Sequence, residues 1–304
     1  MEQQRLFYSL VFICAVKNIN MIRIVKFVIS IIYCGVLQLK VVFHKLIGRE
    51  LSDLCIVLYY HSVRPEQRNR FARQMADLVR WAKPVRADVK GPLKTGFRHV
   101  AVTFDDGFQS VVDHALPELI LREIPFTIFV PAGYLGRRPQ WAIGEGSQEE
   151  NELVMTADQL KRLPFDLVSI GSHTMTHPRL SLLSEEEALS ELYKSRKELE
   201  SILERDIKLF SFPHGEYNQT LVQLARQAGY ERIFTIMPLP ALSDSREFIT
   251  GRVWASPIDW RLEFRLKLLG AYCWLPFAFS LKRNIRTIVH KCLCAFGPGL
   301  PRTS

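Results

Sequence analysis

Val100-Ala-Val-Thr-Phe-Asp-Asp-Gly-Phe108 is the stretch on which the fold turns. Five strand-favouring or small residues run into two adjacent carboxylates and a glycine, the pattern of a buried strand ending in a turn that presents acids at its C-terminal end. Open and closed α/β folds place their chemistry at that end of a strand. Consecutive side chains at a strand end point in different directions, so Asp105 and Asp106 can divide two tasks. If one binds a cation, the other is free to act as a base.

A second stretch, Ser172-His173-Thr-Met-Thr-His177-Pro178, supplies what the aspartates lack. Read as one helical turn closed by Pro178, it would bring both imidazoles to one point. Two histidines and one carboxylate form a three-ligand set for a divalent catalytic ion, with a position left open for water.

Taken together, these residues resemble the polysaccharide deacetylase family, also called the NodB-homology or carbohydrate esterase 4 family. Thr103-Phe-Asp105-Asp106-Gly107 and Ser172-His173 to His177 are similar to its first two motifs. Phe210-Ser-Phe-Pro213-His214-Gly215 resembles the third and Gly251-Arg252-Val-Trp254 the fourth, so the resemblance covers roughly residues 55 to 257. It implies an α/β fold, a distorted (β/α) barrel, that hydrolyses the N-acetyl group of an amino sugar. By the same resemblance Asp106, His173 and His177 hold a divalent metal, expected to be Zn²⁺. Asp105 is the base, Arg252 orients it and lowers its pKa, and Trp254 walls the pocket. Two departures stand out: Ser211 replaces a frequent arginine, and His214 a frequent tyrosine. Pro213 and Gly215 keep the groove-shaping backbone, and His214 is a substrate contact or an alternative acid.

Cys55-Ile-Val-Leu-Tyr-Tyr-His61 reads as a strand carrying a histidine at its end. Tyr60-His61 resembles the circularly permuted poly-N-acetylglucosamine deacetylase-like branch, in which that histidine serves as general acid. Helices are expected over Phe71–Trp81, Val111–Leu121, Asp158–Leu163, 184–204 (opened by a Ser184–Glu187 capping box) and Thr220–Ala228, with strands over 126–132 and 233–236. The acidic and basic residues of the helix from Ser184 read as a solvated face. The polar segment 137–153 is a loop whose Trp141 is either a substrate contact or packing under a lid.

The 304 residues carry a formal charge of +9 and are 48% hydrophobic. Basic residues flank apolar runs near both ends and form no aromatic-interleaved patch, which favours an anionic lipid surface over nucleic acid. Three segments follow: a membrane-associating stretch 1–54, a deacetylase domain 55–260 and a basic amphipathic extension 261–304. Ile24 to Phe43 is long enough to span a bilayer if Lys26 and Lys40 snorkel, or it lies in the interface. The run from Leu266 is expected to form an interfacial hairpin, and Ile288-Val-His290 only superficially resembles a further family motif. None of the six cysteines falls between Ile56 and Tyr272, so no disulfide framework is expected. The expected substrate is an N-acetylated glycan, with a lipid-linked sugar as the alternative and a glycan-binding or assembly protein as the non-enzymatic one. The expected location is a bacterial envelope membrane, on either face.

Overall fold

The computed structural model describes residues 2–48, 55–90, 93, 96–141, 148–242, 244 and 246–281. A long helix α1 (Glu2–Leu46) precedes an alternation of short strands and helices. These are β1 (Cys55–Tyr60), α2 (Arg68–Trp81), β2 (Lys83–Pro84), β3 (His99–Phe104), α3 (Leu116–Ile120), β4 (Phe126–Val130), α4 (Ala157–Lys161) and β5 (Val168–Ser172). There follow α5 (Glu185–Leu203), β6 (Leu209–Ser211), α6 (Gln219–Gln227), β7 (Arg232–Phe234), β8 (Ile249–Thr250), β9 (Val253–Trp254) and α7 (Arg261–Leu268).

The strands form one parallel sheet in the order β8-β7-β6-β5-β4-β3-β1-β9, with β2 added on β3. β8 and β9 lie at opposite ends of that order, yet only Gly251 and Arg252 separate them in the chain. A two-residue link cannot cross a flat sheet, so the sheet curls until its edges meet, giving the distorted (β/α) barrel expected from the sequence. Gly251 sits at this seam, where a Cβ would come within 2.5 Å of Met237 O.

Alternation along each strand separates two apolar layers. Ile56, Leu58 and Tyr60 face the helices, whereas Cys55 and Val57 face the barrel interior with Ala101, Phe129, Leu209 and Phe234. Tyr60 stacks on Phe104 at 5.5 Å and meets Phe71 of α2 edge-on at 5.5 Å. This aromatic wedge anchors β1 and β3, the two strands that carry His61 and the aspartates. Sidedness therefore fixes which residues can reach the site.

The expected helices are present, with informative differences. In α2, Phe71, Met75 and Leu78 are buried as their spacing requires, but Trp81 is half-exposed beneath the Arg265 guanidinium, 5.4 Å from its ring. The helix expected over Val111–Leu121 begins as a π-helical turn, Val111–Ala115, and becomes α-helical at Leu116, where Pro117 brings no N–H to the ladder. Ser184 caps α5 as its sequence indicates, accepting from Glu187 N at 3.3 Å. The run from Leu266 is no membrane hairpin at its start, because Leu266, Leu268, Ala271 and Tyr272 are buried against the barrel. Residues 275–281 are helical and expose Phe277 and Phe279. Ile288 to His290, with Cys292 and Cys294, lie outside the described residues; Cys34, Cys55 and Cys273 are free thiols.

Candidate functional site

At the end of β3 the backbone turns through two consecutive left-handed residues, Asp106 (φ 66°) and Gly107 (φ 58°). Asp and Gly are the residue types that tolerate this region most readily, which explains why the acid pair is followed by glycine. The turn sends the two buried carboxylates in different directions. Asp105 N donates to Tyr60 O at 2.9 Å, extending the β1 ladder one step past the strand.

Asp105 faces Arg252. Nη1 donates to Oδ1 at 2.7 Å and Nη2 to Oδ2 at 2.8 Å, a two-pronged grip that fixes both oxygens. Arg252 is 0% exposed and lies 4.7 Å from the Tyr59 ring and 5.4 Å from that of Phe129. Its remaining donor capacity goes to Thr103 Oγ1 (3.1 Å), Ser211 Oγ (2.7 Å) and Thr235 O (3.3 Å). Burial pushes the Asp105 pKa up, but the Arg252 charge and then that of His173 outweigh it, leaving the carboxyl below its ordinary 3.8.

Asp106 faces the histidines. His173 Nε2 lies 3.5 Å and His177 Nε2 3.2 Å from its Oδ1, and one ligand atom from each of the three residues lies within 4.8 Å of the others. Neither approach is aligned as a hydrogen bond, so among the described residues Oδ1 has no hydrogen-bond partner in a buried site. Tetrahedral coordination at about 2.0–2.1 Å separates neighbouring ligand atoms by about 3.3 Å. The donor set therefore fits a divalent cation, and Zn²⁺ suits its two imidazoles and carboxylate.

The histidine segment is not the helical turn expected from the four-residue spacing. His173 extends β5 by one backbone bond to Val130 O, and the chain then loops through left-handed Thr174 (φ 68°) and His177 (φ 58°). Thr174 Oγ1 accepts from His177 N at 3.0 Å, while Glu191 on α5 accepts from Met175 N (2.9 Å), Thr176 N (2.8 Å) and Thr176 Oγ1 (2.9 Å). Side-chain acceptors thus supply what an intrahelical ladder would have given. Ser211 O accepts from His173 Nδ1 at 2.8 Å, which turns Nε2 towards Asp106. Burial, the leading cause, pushes the His173 pKa down to about 4, so the ring is neutral and ligand-competent at pH 7.

His61 follows β1, half-buried, its ring 5.9 Å from Tyr59. It directly follows Tyr60, whose carbonyl accepts from Asp105 N, so it stands at the same strand ends as the aspartates. With Trp254, Ser256 and Glu149 it lines a cavity of about 310 Å³. Trp254 is 53% exposed, forming one wall of that opening. His214 (φ 58°) stands 4.8 Å from the His177 ring on the other side, above buried Pro213, and burial pushes its pKa down. Trp141 stacks on His177 at 4.2 Å and meets Tyr134 edge-on. A larger cavity of about 700 Å³ opens at the opposite end of the strands, beside Val168, Leu209 and Arg232, and touches none of these groups.

The sequence model of a family described as polysaccharide deacetylase matches residues 93–233. Among solved structures, IcaB from Ammonifex degensii superposes with a TM-score of 0.60 at 26% identity, covering 72% of this chain and 97% of its own. Over residues 93–233 the chain is similar to the polysaccharide deacetylase family. Streptococcus pyogenes deacetylase PplD, solved with acetate, shares the fold at TM-score 0.57 and 21% identity, covering 68% of this chain and 95% of its own. Among curated relatives, YxkH of Bacillus subtilis (strain 168), which carries a provisional polysaccharide deacetylase name, is 28% identical over 158 residues. That match covers 52% of each chain. The poly-beta-1,6-N-acetyl-D-glucosamine N-deacetylase of Staphylococcus aureus (strain MSSA476) is 24% identical over 158 residues, 51% of this chain and 54% of its own. The chain thus spans about half the length of the curated relatives it matches.

The structural roles of three site residues could not be read from the sequence. Ser211, noticed only as a departure, ties His173 to Arg252 through its backbone and side chain. Glu191 lies within what reads as a solvated helix face but organises the histidine loop. The position of Trp141 against His177 depends on a loop path that no local pattern encodes.

Proposed function

We propose that this chain is a metal-dependent deacetylase that removes N-acetyl groups from the amino sugars of a glycan. The observation that carries the reading is the convergence of Asp106, His173 and His177 beside an aspartate held ionised by Arg252. A Zn²⁺ ion held by those three residues would supply a Lewis acid and lower the pKa of a bound water. Asp105, kept ionised and oriented by Arg252, takes a proton from the attacking water. His61 gives a proton to the nitrogen as the carbon–nitrogen bond breaks, releasing acetate and a free amine. His214, next to His177, is the alternative donor and a substrate contact; Pro213 shapes the groove and Trp254 offers the sugar a flat apolar wall.

The catalytic unit is 55–260; segment 1–54 and the exposed apolar end of 261–304, marked by Phe277 and Phe279, associate with an anionic bacterial envelope membrane. A lipid-linked amino sugar is the second reading of the substrate, favoured by the apolar exposed surface of α1. The test is elemental analysis of bound metal together with acetate release from N-acetylglucosamine oligomers, using the wild type, Asp105→Asn and His173→Ala. Stoichiometric metal that is lost in His173→Ala, with release abolished in both variants, supports the enzyme. Metal without release from oligomers favours the lipid-linked substrate, and absence of metal overturns the mechanism. Function retained in Asp105→Asn would favour a binding or assembly role.

A further inference from the structure

Residues Met21–His44 of α1 are long and apolar enough to cross a membrane. Along this segment, buried and half-buried positions recur at Arg23, Phe27, Ser30, Cys34 and Gln38, steps of three and four that make a single stripe. That stripe lies against the domain. Arg23 donates to Glu263 Oε2 from Nη2 (2.6 Å) and Nε (3.0 Å) and to Ile258 O (3.2 Å), with its guanidinium 4.5 Å from the Trp260 ring. Phe27 meets Trp260 edge-on at 5.4 Å, Trp274 Nε1 donates to Ser30 Oγ at 3.0 Å, and Arg98 Nη2 donates to Gln38 Oε1 at 3.5 Å. The polar side chains on this face are therefore satisfied by the domain. The opposite side exposes Ile24, Val28, Ile32, Val36, Leu39 and Phe43, and nearby helical residues 275–281 expose Phe277 and Phe279.

Docked and spanning arrangements exclude one another. Contacts run from Arg23 to Gln38, about 22 Å of helix at 1.5 Å per residue, against a hydrocarbon layer of about 30 Å. Threading the helix through a bilayer with the domain attached would carry Arg98, Asp259, Glu263 and Lys267 into hydrocarbon, where charges are strongly disfavoured. A helix with one polar, docked stripe and a continuous apolar opposite face suits the lipid–water interface instead. The net charge of +9 complements an anionic headgroup layer.

We propose that α1 lies in the plane of an anionic phospholipid membrane, its apolar face in the acyl layer and the barrel clamped to its other face through Arg23 and Glu263. This goes beyond the catalytic reading and does not depend on it. The full-length chain is expressed in a bacterial host in a cysteine-free background, with Met21→Cys or Gly48→Cys introduced singly. Spheroplasts and inverted vesicles are then labelled with a membrane-impermeant maleimide. Both positions are expected to label from the same side; labelling from opposite sides overturns the proposal. Protein that fails to float with phosphatidylglycerol vesicles and pairs with a second copy in light scattering also overturns it. The clamp is read separately: Phe27→Cys, shielded by Trp260, should gain labelling when Arg23→Gln is added, with metal content unchanged. No gain would remove Arg23 from the clamp.

Discussion

Arg252 holds both carboxylate oxygens of Asp105, at 2.7 and 2.8 Å, from a side chain with no solvent exposure. Removing one partner strands a charge in the interior. Arg252→Met should therefore cost about 3–5 kcal/mol of stability, measured by denaturant unfolding. Arg252→Lys keeps the charge but loses the planar fork, so it should retain most of the stability while acetate release falls steeply. Equal losses in both variants would mean that charge alone matters.

The same pair sets an acid limit. The folded-state pKa of Asp105 lies below its ordinary value of 3.8, so its stabilising contribution is complete above that value. It is lost as pH falls through the lower, folded-state pKa. Unfolding titrations should show wild type losing this increment only in strong acid, whereas Arg252→Met shows no such increment. A common acid profile would contradict the assignment.

His173 titrates in the opposite chemical sense but also weakens the protein in acid. Its pKa is about 4 folded against 6.5 ordinarily, so between those values the unfolded chain binds the proton more readily and metal-free stability falls as pH drops from 6.5 to 4. His173→Gln should flatten that slope in the metal-free protein. Added Zn²⁺ at about 100 times its dissociation constant should raise wild-type stability by about 2.7 kcal/mol and leave His177→Ala almost unchanged.

Glu191 reaches the site only through the loop it braces. Glu191→Gln keeps the shape but turns an acceptor into a partial donor facing two backbone N–H groups. Metal affinity should drop by about ten- to a hundredfold with the fold intact, read by competition with a chromogenic chelator. Unchanged affinity would make the brace dispensable.

A Cβ at Gly171 would sit 2.5 Å from the Phe129 ring and 3.0 Å from Leu209 O. Gly171→Ala should cost about 1–3 kcal/mol in thermal unfolding. Because Phe129 packs beneath Arg252, activity should fall beyond what the loss of folded protein explains.

What could be read in advance follows the range of each interaction. Asp105, Asp106, His173 and His177 announce themselves because acids after a buried strand and histidines four apart are local patterns. Arg252 needed the family resemblance to find its partner, 147 positions away. Glu191 was hidden because a carboxylate on a charged helix looks the same whether it meets water or a backbone. The histidine loop was misread as a helical turn because spacing alone does not reveal that Thr174 and His177 are left-handed. The apolar run at Leu266 was assigned to lipid because burial against a barrel and burial in a bilayer select the same residues.

The seam at Gly251 and Arg252 has a temporal meaning. β1 is among the first strands to leave the ribosome, but its outer neighbour β9 is one of the last parts of the domain to emerge. Until then β1 presents open backbone to the cytosol or to other nascent chains, and Asp105 has no counter-charge. Folding can complete only once the whole domain is released, so truncation products ending before residue 252 should become substrates for chaperones and proteases and never partly active enzymes. The residue that finishes the barrel also brings Asp105 its counter-charge.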